Sequence, residues 1–157
     1  MNTAKYLSYA EAWRRIKDAT SQGFYFEAVT LCESIISDRL LSYVRGADPT
    51  NKATIHTNFS TLIAQWRKPA SGNLPAHGNS DLGAAVEIWR SERNEIIHGL
   101  TKSEPGSQTV QVQPFIARAE QAAKTGADLA RSVSAWHKEQ LRAHHAATKR
   151  LTSKVRS

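Results

Sequence analysis

Apolar residues recur at steps of three and four along most of this chain, a period that fits amphipathic helices and little else. From about Thr3 to Ser21, Tyr6, Tyr9, Trp13 and Ile16 share one face, and Gln22-Gly23 breaks the pattern. From about Phe24 to Arg45, Ala28, Val29, Leu31, Cys32, Ile35, Ile36, Leu40 and Val44 form a stripe broad enough for a central helix. Gly46 sits where a terminating glycine belongs, and Asp48-Pro49 marks a turn. A third helix is expected over about Thr57 to Arg67, with Phe59, Leu62, Ile63 and Trp66 inward. Residues 68–79 are rich in Pro, Gly and Asn and predict a loop, after which Ser80 or Asn79 would cap a helix over about Asp81 to His98. Gly99 is the expected stop, and residues 101–113, Thr109-Val110-Gln111-Val112 included, read as loop. Pro114 suits the first turn of a last helix whose seam is Phe115, Ala119, Ala122, Gly126, Leu129, Val133 and Trp136. The expected fold is all-α, a four- to five-helix up-down bundle.

The length of 157 residues fits one domain, expected over residues 1–145, with a basic tail over 146–157. No apolar run is long enough to span a membrane, and the N-terminus lacks the apolar stretch of a secretory signal. A cytoplasmic protein without membrane association is expected. A single cysteine excludes an internal disulfide and any cysteine-built zinc site, and Cys32 reads as a small buried hydrophobe. His137, His144 and His145 have no carboxylate arranged beside them, so neither a metal nor another cofactor is expected. The four tryptophans, Trp13, Trp66, Trp89 and Trp136, read as core.

The charge is uneven. The net is +7 overall, but residues 114–157 hold nine basic against three acidic side chains, while residues 1–113 are nearly balanced. Such an excess favours a polyanion, and Lys138, Arg142, Lys149 and Arg150 are the expected contacts to nucleic-acid phosphates, with Lys154 and Arg156 beyond them.

One position breaks the pattern of the fourth helix. Its stripe runs Leu82, Ala85, Val86, Trp89, and the next place on it is Arg93. A guanidinium at the inward edge of a helix needs a partner, because an unpaired buried charge is costly. Glu33 and Asp38 are available across the bundle, and with Arg39 they could either support a site or make ordinary pairs. Asn94 follows Arg93, and His98 lies one turn after Asn94 on the same face. Were RNA the substrate, these groups could cleave it without a metal. A histidine with its ordinary pKa of about 6.5 can take a proton from the ribose 2′-hydroxyl or return one to the leaving oxygen. An arginine can stabilise the anionic phosphorus centre through paired N–H donors, and Asn94 can orient either group. One Arg–His pair supplies either the base or the acid, and a second chain would supply the other. A second pair, Arg131 and His137, has five intervening residues, but Ser132 follows its arginine.

The segment Arg93-Asn94, three residues, His98 resembles the signature of HEPN domains, in which a polar residue often follows the arginine. The helix order before it, and the stretch Gly23 to Leu31 with Glu33, are similar to that family as well. The resemblance covers roughly residues 5–140, and only Arg93–His98 is specific. It implies a helical bundle that pairs as a homodimer, with Arg93, Asn94 and His98 of two chains in a basic cleft. It further implies a metal-independent endoribonuclease in a toxin–antitoxin, CRISPR or phage-defence setting, with RNA as substrate and an antitoxin or defence protein as partner. The alternative is a non-catalytic module of the same kind that binds nucleic acid or a protein. The position two past the histidine is Leu100, where members silenced by a nucleotidyltransferase often carry Tyr, so the resemblance does not extend to that control.

Overall fold

The computed structural model describes residues 2–102, 104–107 and 111–155, with side chains to Leu151. Thr109, Val110 and Arg156, and the side chain of Lys154, lie outside the described residues.

The chain is an all-α bundle of five helices with one two-residue hairpin among the described residues. Helix α1 (Thr3–Gln22) begins at Asn2, whose side chain accepts the Lys5 N–H, and ends at Gly23, in the left-handed region at φ 81°. That glycine lets α2 (Tyr25–Ala47) fold straight back along α1. The stripe on α2 is buried except at half-covered Leu31, with Ala28, Val29, Cys32, Ile36 and Leu40 wholly covered, as a central helix requires. Gly46 does not terminate it: the helix runs one residue further and ends at Asp48, whose N–H bonds Val44 O.

Helix α3 (Phe59–Arg67) starts two residues later than its periodicity predicts, because the Asn58 side chain caps it by accepting the Thr61 N–H. The expected loop over 68–79 contains a correction. Ala76–His77 (β1) pairs antiparallel with Ser80–Asp81 (β2) around Gly78, which holds φ 60°. Asp81, not Ser80 or Asn79, then caps α4 (Leu82–Gly99), accepting the Ala84 N–H at 2.8 Å. Gly99 is the last helical residue rather than the stop beyond it.

Helix α5 (Val112–Val155) is 44 residues long and runs unbroken across residues 145 and 146. Every seam position from Phe115 to Trp136 is buried, chiefly against α2 and α4. Two of them pack closely on Trp89: a Cβ added at Gly126 would stand 2.6 Å from the Trp89 ring, and the Trp89 indole N–H donates to Ala122 O at 2.9 Å. Trp66 and Trp136 stack edge-to-face with centroids 5.5 Å apart, while Trp13 is half-buried at the α1–α5 face. Beyond His137 the helix leaves the bundle, and residues 138–151 are exposed except for half-covered Gln140.

Candidate functional site

Helices α2, α3 and α4, with the loop leading into α3, line an open cavity of about 570 Å3. Arg93 and Asn94 line it from α4 and Glu33 from α2. Arg93 reaches this position because its place on the apolar stripe turns it toward α2, while the helix beside it carries Trp89 and Ile96 into the core. Its Nε forms an ion pair with Glu33 Oε2, and its Nη1 donates to Asn94 Oδ1 at 2.8 Å. Both members of the ion pair are about one-fifth exposed, at 21% and 19%. Burial pushes the Glu33 carboxyl above the usual carboxylate range, and the Arg93 guanidinium pulls it back. Arg93 Nη2 has no hydrogen bond among the described residues.

Of the three residues with open roles, only Glu33 meets Arg93. Asp38 Oδ1 accepts Lys5 Nζ at 2.9 Å and Oδ2 accepts the Tyr9 hydroxyl. Burial opposes the Asp38 charge, but these two bonds outweigh it and hold the carboxyl below its usual value. Burial and Asp38 in turn push the Tyr9 hydroxyl well above its own. The Arg39 guanidinium lies 4.0 Å over the Tyr9 ring, a cation–π contact. Asp38 and Arg39 therefore fasten α1 to α2, and Asp38 reaches the cavity only as part of its wall.

His98 is exposed in the last turn of α4 and does not line the cavity. Within one chain, then, Arg93 and Asn94 share a wall and His98 stands outside it. The second Arg–His pair forms no open site. Arg131 is exposed, bonded to Asp128 and placed 5.2 Å over the Trp13 ring, whereas His137 is 4% exposed inside the bundle. Burial and the Arg39 charge push the His137 imidazole below its usual pKa, with Asp38 pulling the other way. Cys32 is fully buried, and burial pushes its thiol up to about 12, more than the Arg131 charge lowers it. No cluster of three His, Cys, Asp or Glu side chains suited to a metal occurs among the described residues. Among the described residues, no helix is long and apolar enough to cross a membrane.

Lys138, Arg142, Lys149 and Arg150 are all exposed on the stretch of α5 that projects from the bundle, a continuous helix rather than a separate segment. Sequence reasoning passed over part of the cavity wall: Arg90, held at 2.7 Å by Glu87, and Thr54, Thr57 and Asn58 from the α2–α3 connection. The one signal was Asn58 itself, a good cap residue directly before the apolar Phe59. No family model matches the chain, and neither a curated protein nor a solved structure does.

Proposed function

We propose that this protein is a metal-independent endoribonuclease of the HEPN type that acts as a homodimer, in a toxin–antitoxin or phage-defence setting. The observation that carries the reading is Arg93. Its guanidinium is fixed on a cavity wall by Glu33 and Asn94, with Nη2 left over to meet a ligand. A charge held in this way needs little reorganisation when an anionic phosphorus centre forms against it. His98, one turn along and exposed, takes the 2′-hydroxyl proton, and the ribose oxygen attacks its own phosphorus. The 5′-oxygen leaves with a proton from His98 of the partner subunit, giving a 2′,3′-cyclic phosphate. Lys138, Arg142, Lys149 and Arg150 hold the rest of the strand by its phosphates.

A second reading is a non-catalytic helical module that binds nucleic acid or a protein partner. It is favoured by the placement of His98 outside the cavity that Arg93 lines. Incubating the protein with RNA in EDTA separates the two. The nuclease reading expects fragments ending in 2′,3′-cyclic phosphate, and the second expects intact RNA.

A further inference from the structure

The basic side chains of α5 are arranged in a line. At about 100° per residue, Lys124, Arg131, Lys138, Arg142 and Lys149 fall within about 40° of one another around the helix. All five are exposed and the helix is unbroken between them, so at about 1.5 Å per residue they mark a straight strip about 38 Å long. The strip lies nearly opposite the buried seam from Phe115 to Trp136. Its bundle end borders an open groove of about 490 Å3 between α1 and α5, lined by Trp13, Lys17, Lys124, Ala127 and Arg131 among others. The Trp13 ring holds the Arg131 guanidinium 5.2 Å from its centroid. Lys17 is exposed on the α1 side, with no ion pair or hydrogen bond from its side chain among the described residues. Lys124 bonds Glu120 at 2.7 Å and Arg131 bonds Asp128 at 2.9 Å, but both partners of each pair are exposed. Exposed pairs are weak, so a denser anion can draw these cations away. Arg131 gives only Nη1 to Asp128, which leaves Nε and Nη2.

We infer that this strip and the groove at its end form one path for the phosphate backbone of a nucleic-acid strand, with Lys17, Lys124 and Arg131 as its contacts on the bundle itself. The inference rests on the proposed function for a nucleic acid as partner, but not for cleavage. The path extends the basic arm of α5 onto the bundle, on the side of α5 away from the seam against which Trp89 packs. The chemistry of the strip favours phosphates over other anionic surfaces. The exposed large apolar side chains of α5, Val112, Leu141 and Leu151, stand about 80° or more from its midline. A helix that lies on a membrane, or a protein interface with a dry centre, needs apolar side chains beside its cations. A line of cations alone fits a line of phosphates, which it binds by releasing their counterions. Contacts of this kind position a strand and read no base.

The test uses the full chain and two labelled probes, a 2′-O-methyl oligouridylate, which lacks the attacking hydroxyl, and a thymidylate oligomer, which presents the same phosphates. Affinity is read at several salt concentrations. The double variant Lys17→Gln, Lys124→Gln leaves the Trp13–Arg131 contact in place. It should flatten the slope of log affinity against log salt by about 1.4, at about 0.7 for each phosphate released, with both probes and at an unchanged melting temperature. Adding Arg131→Gln should bring the loss to about 2.1. Arg67→Gln with Lys68→Gln removes the same charge from exposed positions at the end of α3 and should leave the slope as in wild type. An unchanged slope in the Lys17, Lys124 variant overturns the inference. So does an equal loss in the α3 variant, which would make the effect one of net charge. Wild type that binds neither oligomer, or binds only vesicles of anionic phospholipid, overturns it as well. Cleavage of ordinary RNA in EDTA, measured in parallel, keeps the two readings apart. RNA cut by wild type while the slope is unchanged in the variant removes the path and leaves the nuclease. The flattened slope with RNA left intact keeps the path and removes the nuclease.

Discussion

Glu33 on α2 and Arg93 on α4 form an ion pair across the wall of the cavity, and it is the one charged contact that joins these two helices among the described residues. Because each partner is about four-fifths covered, neither is free to swing out to solvent at little cost. The pair does two things together. It satisfies a guanidinium that the apolar stripe would otherwise strand, and it leaves the far side of that guanidinium for a ligand.

Glu33→Gln should therefore separate binding from turnover. Removing the carboxylate charge raises the positive potential of the cavity, so KM for RNA falls. The neutral amide holds Arg93 less firmly, and kcat falls by roughly tenfold, the equivalent of about 1.4 kcal/mol. Steady-state kinetics on a short oligoribonucleotide check this. Equal KM and kcat in the two proteins would show that Glu33 is a structural partner only.

Gly126→Ala should destabilise the bundle although alanine is the better helix former by about 1 kcal/mol. The new Cβ would lie 2.6 Å from the Trp89 ring, which is pinned by its bond to Ala122 O and cannot retreat. Overpacking of this kind costs about 1–3 kcal/mol. Urea titration should show a lower midpoint at an unchanged slope.

Stability should fall on mild acidification because of His137. Its folded pKa lies below the unfolded value of about 6.5. Between those two values the unfolded chain binds the extra proton, so the stabilisation is complete above about 6.5 and is lost as pH falls toward the folded pKa. The groups that face the ring are Arg39, Lys5 and Asp38, and the two cations oppose its protonation. Melting temperatures taken between neutral and mildly acidic pH should decline, and His137→Gln should flatten that decline whatever its own starting stability.

Much of the fold was legible because burial follows period. The seam on α5, and the stripe on α2 apart from half-covered Leu31, are covered as their three-and-four spacing requires. The ends of elements were less legible, since they are decided by single hydrogen bonds. Asn58 and Asp81 take the caps that start α3 and α4, and Gly46 is carried inside α2. The hairpin at Ala76–Asp81 is too short to show alternation. At the site, Arg93 stood out as a charge on an apolar face, and its choice of Glu33 over Asp38 depended on α1, whose Lys5 and Tyr9 occupy Asp38. The part of the cavity wall from Thr54 to Asn58 belongs to a connection with no period of its own, and it became visible only in three dimensions.

Removing residues 146–157 should weaken RNA binding almost equally for all sequences and flatten its salt dependence. Residues 141–151 are exposed, so the bundle should fold without this segment. Each lost phosphate contact lowers the slope of log affinity against log salt by about 0.7 for a single strand. Filter binding at several salt concentrations reads the slope, and an unchanged slope would assign the RNA path to the bundle alone.

The central claim is that Arg93 and His98 cut RNA without a metal, and the most direct measurement is the rate and end chemistry of cleavage in EDTA. Wild type should release fragments ending in 2′,3′-cyclic phosphate. Arg93→Ala and His98→Ala should each abolish release, and His98→Ala, altering an exposed residue, should melt as wild type does. Wild-type rates in either variant, or intact RNA with the unaltered protein, would contradict the account.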